Sequence, residues 1–328
     1  MITIKSDSIT HVGDIHCNSV TPRSRLDDFS VTSLSKLRQV KDICIKNEYK
    51  LVIISGDIFH RNKQPVSYLN AVKRVFKEIK DSGIIMYVIC GNHDLLYDKM
   101  ENLDRSPLGN LLLAGDLIRP LDELLVKTSQ GFDIYIKGFD FPDEISPVNT
   151  KIDCNLSMCV AHKFFNGAYG VDNLTTEDVN GLGYDVYLLG HDHISYEPVK
   201  TEKSLVIRPG SLLRGTSHDY NLTREVCIDT LKFTANVGKL KLNFVRDKLD
   251  IEVAENVFSS AVFHKKQENP DLMLNLSDSI DNLLIKMSNI KGGSSVYTVL
   301  DEMDVSDEIK ERIEMYLENY GIFREVGV

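Results

Sequence analysis

Apolar positions in the first ninety residues alternate between two registers. Residues 8–14 form a short strand pattern leading to Asp14, residues 51–55 a β-branched run leading to Gly56, and residues 84–90 a third run leading to Gly91. Between them, Leu34, Leu37, Val40, Ile43 and Cys44 recur at helical spacing, as do Val66, Leu69, Val72, Val75, Phe76 and Ile79. Gly83 ends the second helix. Apolar strands alternating with amphipathic helices predict a parallel sheet covered on both faces.

After Asp94 the pattern loosens into a loop, with a short helix expected over 107–114. Residues 133–139, 156–161 and 184–189 read as strands, the last two ending at His162 and Gly190. Residues 205–208 enter a Pro209-Gly210-Ser211 turn, and strands near 225–234 and 239–253 pair antiparallel across Asn236-Val237-Gly238. The expected architecture for residues 1–254 is a four-layered α/β sandwich, two packed mixed sheets flanked by helices. From 255 to 328 the pattern changes to helical stripes, among them Ile280, Leu283, Leu284 and Met287, then Ile309, Ile313, Tyr316, Leu317 and Tyr320. A small, mostly helical appendage is expected there, its stripes burying one another or docking a partner.

Charge modifies this picture in one respect. The net charge is −10, but residues 276–328 hold eleven acidic and five basic residues, a local −6 that leaves about −4 for the rest. An acidic body argues against a basic groove, yet divalent cations in a cleft would invert the local field. Six cysteines without a Cys-x-x-Cys pair make structural zinc improbable and predict reduced thiols in a cytosol. The N-terminus lacks a signal-peptide core and the apolar runs are too short to span a bilayer, so a cytoplasmic protein without a membrane partner is expected. There is no Walker loop, no complete Gly-x-Gly-x-x-Gly and no Gly-x-Ser-x-Gly.

The candidate chemistry lies where the strands end. Asp14-Ile15-His16, Gly56-Asp57, Gly91-Asn92-His93-Asp94, His162 and Gly190-His191-Asp192-His193 each follow an apolar run. Open α/β sheets place their sites at such strand ends. In extended chain, residues two apart share a side, so Asp14 with His16, and His191 with His193, are each expected to face one centre. Carboxylates and imidazoles suit manganese, iron or zinc, and Asp57, with two oxygens, is the natural bridge between two ions. Asn92 and His162 add an oxygen and a nitrogen. Two such ions about 3.5–4 Å apart polarise a phosphate and make water nucleophilic near neutral pH.

These ordered fragments resemble the calcineurin-like metallophosphoesterases. Within that superfamily, Gly56-Asp57-Ile58-Phe59-His60 with Pro65, Thr10-His11-Val12-Gly13-Asp14-Ile15-His16 and Arg208-Pro209-Gly210-Ser211 look like the SbcD-type DNA-repair exonucleases, over roughly residues 8–250. The short acidic C-terminus is similar to phage versions. The resemblance implies one metal held by Asp14, His16, Asp57 and His193 and a second by Asp57, Asn92, His162 and His191, usually manganese. It implies His93 as proton donor to the leaving oxygen, with Asp94 orienting its ring. It also implies degradation of duplex DNA from 3′ ends, cutting of single strands, an SMC-like ATPase partner of the SbcC type, and a homodimer.

Some positions depart from the family or stay open. Cys17-Asn18 replaces the frequent Leu-Gly, and Cys17 is expected to pack beneath the site because the ligand set is already full. His60 is either a substrate-positioning residue or a structural hydrogen-bond partner. Arg61, Lys63 and Arg214 lie in loops that could meet phosphates, and His11 is expected in the core. A phosphoesterase acting on nucleotides or phosphoproteins is the alternative enzyme, although Ile58-Phe59-His60-Arg61 stands where the protein phosphatases carry Asp-Arg-Gly. A non-catalytic scaffold is disfavoured because every ligand position is filled.

Overall fold

The structure is a computed structural model that describes residues 1–167, 173–217, 219–259, 310 and 313. Residues Met1–Ser259 form one compact unit and Ser260–Val328 a second. The appendage expected over 255–328 falls, beyond Ser259, almost wholly outside the described residues, as do its helical stripes. Residues 255–259 belong to the body, because Leu26 N donates to Val257 O at 2.8 Å and Ser259 N to Ser24 O at 2.9 Å. Phe258 is buried there, with the Arg25 guanidinium 5.5 Å from its ring centre.

Two mixed sheets make up the body. One has the order Lys239–Lys248, Cys227–Asn236, Ser8–Val12, Leu51–Ile54, Ile85–Val88 and Arg119–Pro120. Its last four strands are parallel, and the first two form the antiparallel hairpin read from the sequence. The other runs Ile2–Lys5, Glu123–Lys127, Asp133–Phe139, Leu156–His162, Val186–Gly190, Leu205–Arg208 and Tyr196–Lys200. Ile2–Lys5 and Tyr196–Lys200 escape the sequence pattern because both are half-exposed edge strands, the latter containing Pro198.

The continuous apolar runs follow from layering. Side chains alternate along a strand, so Leu51, Ile53, Tyr87 and Ile89 point into the layer between the sheets. There they meet Ile136, Met158, Val160, Val186 and Leu188 of the other sheet. Val52, Ile54, Met86 and Val88 face the opposite way, onto Leu37, Val40, Val72, Val75 and Phe76 of the helices Phe29–Lys46 and Val66–Asp81. Asp28 caps the first helix by accepting from the Ser30 and Val31 amides. On the far face of the seven-stranded sheet, Tyr135, Cys159, Tyr187 and Leu189 pack with Val179 of the helix Thr176–Leu182. The order is therefore helix, sheet, sheet, helix. Among the described residues no helix is long and apolar enough to cross a membrane.

The layer between the sheets sets the stability of the body. Ile53→Ala, at a position with no exposure, is expected to lower unfolding free energy by roughly 2–5 kcal/mol in urea titrations. A loss near zero would contradict an inter-sheet core at this position.

Candidate metal centre

Five loops at the carboxyl ends of strands from both sheets converge. Asp14 and His16 follow Ser8–Val12, Asp57 follows Leu51–Ile54, and Asn92 follows Ile85–Val88. His162 closes Leu156–His162, and His191 and His193 follow Val186–Gly190. Donor atoms of Asp14, His16 and His193 lie within 4.8 Å of one another, as do those of Asp57, His162 and His191. His16 Nε2 faces His193 Nε2 at 2.8 Å, and His162 Nε2 faces His191 Nδ1 at 3.1 Å and Asn92 Oδ1 at 3.0 Å. Asp57 Oδ2 stands between the groups, 3.7 Å from His16 Nε2 and 3.3 Å from His162 Nε2.

The backbone reaches this arrangement through strain, not through extended chain. His16, Asp57 and His191 have φ of 53°, 48° and 80°. Non-glycine residues in that region cost on the order of 1–3 kcal/mol each and gather at functional sites. The turn at His191 corrects the expectation from extended spacing. His191 and His193 do not face one centre but part to the two groups, while Asp14 and His16 stay together. The amides of Ile15 and His16 both donate to Asp57 O at 2.9 Å, holding the first two loops in register.

Three ligands are oriented from behind. His162 Nδ1–H donates to Ser55 O at 2.8 Å, which turns Nε2 toward the centre. Asp14 Oδ1 accepts from the His191 amide at 2.9 Å and Asp57 Oδ1 from the His93 amide at 3.0 Å. The second oxygens, Asp14 Oδ2 and Asp57 Oδ2, are buried without a hydrogen-bond partner. Buried carboxylate oxygens without partners are costly unless a cation meets them. Two nitrogens bound to one ion at about 2.1 Å and at right angles lie about 3 Å apart, which the imidazole pairs match. The donor set therefore fits two divalent cations.

Protonation follows from burial and neighbours. Burial pushes Asp14 up to about 7, opposed by His162. Burial alone would raise Asp57, but His162, His93 and His16 hold it well below the usual carboxylate range. Burial opposes charge on His162, yet Asp57 raises it to about 9. Burial, with His193 beside His16 and His162 beside His191, holds those two rings well below their ordinary value. His193 falls to about 3, mainly by burial. Most of the imidazoles are thus neutral and able to ligate, while His162 carries a proton that a cation would displace.

His93 and His60 stand beside this cage. The His93 ring centre is 5.0 Å from that of His16 and 5.3 Å from that of His60, on which it stacks. His93 Nδ1–H donates to His60 O at 2.8 Å. This corrects the expectation that Asp94 orients the ring. The Asp94 carboxylate instead accepts from the amides of Gly91 at 3.1 Å, Phe59 at 3.2 Å and Ile58 at 3.4 Å. It pins the Gly56 and Gly91 loops together.

Other expectations divide. Cys17 is fully buried with its thiol pushed up to about 12 by burial, and His11 Nε2 meets Ser55 Oγ at 2.9 Å, so both are core residues. Arg61 is half-buried and Lys63 exposed on the loop after His60. Arg214 is not a phosphate contact. It is buried, donates to the carbonyls of Asn221 and Glu252, and lies over Phe258. Sequence reasoning missed the Ser55 carbonyl and the Phe164 ring, 4.1 Å from His191. A backbone carbonyl leaves no trace in residue identity, and a lone phenylalanine after His162 reads as core.

Space at the strand ends is as constrained as charge. A Cβ on Gly91 would sit 2.1 Å from Asp57 Oδ1, and one on Gly190 2.3 Å from Ser55 O. Only glycine admits the opposing ligand loop at these points.

Comparison with known proteins places this geometry in context. Residues 8–195 match the family described as calcineurin-like phosphoesterase. The uncharacterized metallophosphoesterase YhaO of Bacillus subtilis is 21% identical over 216 residues, covering 61% of this chain and 52% of that protein. The DNA double-strand break repair protein Mre11 of Saccharolobus solfataricus is 24% identical over 216 residues, covering 62% and 54%. The chain thus spans about half the length of these curated relatives. The crystal structure of TT1561 of Thermus thermophilus aligns with a TM-score of 0.42 at 10% identity, over 68% of this chain and 93% of that one.

Gly91→Ala tests the packing of the centre. It should displace the Asp57 carboxylate and weaken Mn2+ binding about 10–100-fold, read by calorimetric titration, with the fold intact by circular dichroism. Unchanged affinity would contradict the close approach.

Proposed function

The chain belongs to the calcineurin-like phosphoesterases, and from that premise we propose that it is a manganese-dependent DNA nuclease. It degrades duplex DNA from 3′ ends, cuts single strands, and serves as the nuclease subunit of an SbcC-SbcD-like end-processing complex. Asp14, His16, Asp57 and His193 would hold one cation, and Asp57, Asn92, His162 and His191 the other. When bound, such a pair supplies Lewis-acid polarisation of a phosphoryl oxygen and a water acidic enough to be nucleophilic at neutral pH.

The observation that carries the phosphodiester reading is the tether on His93. With Nδ1–H given to the His60 carbonyl, the ring is held in one orientation, from which its doubly protonated form would present Nε2–H to the departing sugar oxygen. Asp94 keeps the His60 and His93 loops at fixed separation through its three amide bonds. His60, stacked on His93, both orients that ring and lies where substrate would approach.

DNA as substrate rests on the similarity to a relative named as a DNA double-strand break repair protein. It rests also on the run Gly56-Asp57-Ile58-Phe59-His60, which places His60 under His93. The partner is an SMC-like ATPase that opens DNA ends, and the acidic region after Ser259 is the segment that docks it. The working assembly is a homodimer in the cytoplasm of a bacterial or phage-infected cell.

His93→Ala should lower Mn2+-dependent cleavage of linear duplex and single-stranded DNA about 10²–10⁴-fold while retaining metal. A wild-type protein that hydrolyses small phosphoesters but ignores DNA, with or without an ATPase, would replace this reading with a nucleotide or phosphoprotein phosphoesterase. Ending the chain after Ser259 should preserve Mn2+ binding and abolish co-purification with the ATPase. Continued co-purification would refute docking through the acidic region.

A further inference from the structure

The run Arg208-Pro209-Gly210-Ser211 connects the strand Leu205–Arg208 of one sheet to the segment that leads to Cys227–Asn236 of the other. Its own bonds reach both sides. Ser211 N donates to His193 O at 3.1 Å, and Leu212 N donates to Asp14 O at 2.8 Å. Gly210 has a φ of 77°, and a Cβ there would lie 2.7 Å from His193 O. The turn is therefore wedged between one ligand loop from each sheet.

Arg224 organises this turn. It is buried, and its guanidinium donates Nη1 to Ser211 O at 2.8 Å and Nη2 to Ser211 Oγ at 2.9 Å and Leu213 O at 2.6 Å. Nε donates to Asn221 Oδ1 at 2.7 Å. All four acceptors are neutral oxygens, and three belong to residues 211–213. Burying a guanidinium against neutral acceptors is expensive, and removing it would take the Arg224 donor from Ser211 O and Ser211 Oγ and leave Leu213 O only its bond from Ser211 Oγ.

The ligands reached by the turn, Asp14 and His193, fall in one donor group with His16. The other group has supports of its own, His162 at Ser55 O and Asp57 at the His93 amide, and touches Asp14 through the His191 amide. We infer that Arg224 is a positioning residue that, through residues 211–213, sets the separation of Asp14 from His193. It thereby controls occupancy of the first cation position more than that of the second. This inference rests on the two-cation reading of the centre.

The test is calorimetric Mn2+ titration of the full-length chain, with His193→Ala and Asn92→Ala marking which binding step belongs to which position. Arg224→Met should weaken the His193-dependent step about 10–100-fold and the Asn92-dependent step by less than about threefold. Ser211→Ala, which removes one Arg224 acceptor and the Oγ bond to Leu213 O but leaves the backbone in place, should shift the same step less. It carries the test if circular dichroism shows Arg224→Met unfolded. Equal weakening of both steps, or of neither, would overturn the inference. A wild-type chain that binds no Mn2+ would overturn the metal reading itself and this inference with it.

Discussion

The carboxyl ends of the two sheets approach so closely that Gly190 lies against Ser55 and Gly56 against His162, and the ligand positions follow from that approach. The two donor groups that contain a carboxylate each draw on both sheets. Asp14 and His16 need His193 from across the layer, and Asp57 needs His162 and His191. The apolar layer between the sheets fixes how near those ends come. Glycine at the points of contact lets them come near enough for imidazoles from one sheet to meet carboxylates from the other. Without the inter-sheet core the centre would be scattered loops.

The same approach concentrates polar groups where water is largely absent. Two ligand carboxylates and six imidazoles share this space, the pKa of His162 raised by Asp57 and those of His16, His60, His191 and His193 lowered by burial, and two carboxylate oxygens there are left without hydrogen bonds. Backbone strain at His16, Asp57 and His191 adds to the cost. Folding alone gives no reason to retain such an arrangement. Cation binding does, because the orphan carboxylate oxygens and the paired imidazole nitrogens would become ligands to a divalent ion. The acidic charge of the chain points the same way, since added cations turn an acidic cleft into one that receives phosphate.

Much of this was legible in the chain before folding. Continuous apolar strands reported the two-sided burial of Leu51–Ile54, and glycine before Asp57, Asn92 and His191 reported the strand-end site. The helices Phe29–Lys46 and Val66–Asp81 were legible because one face of each is packed and the other solvated. What was illegible depends on backbone direction. The left-handed turn at His191 sends it away from His193, and the amides of Gly91, Ile58 and Phe59 take the Asp94 carboxylate that the family resemblance assigned to His93. Arg214 looked like a free cation in a loop, because the carbonyls that claim it come from distant segments. Edge strands such as Tyr196–Lys200 carry too little burial to stand out from loop.

The central claim is that Asp57 bridges two cations held by ligands from both sheets. Crystals grown with Mn2+ and measured at the manganese absorption edge test it directly. The account predicts two anomalous peaks, one among Asp14, His16 and His193 and one among Asn92, His162 and His191, with Asp57 between them. No peak at the centre, or a single peak out of reach of Asp57, would contradict it.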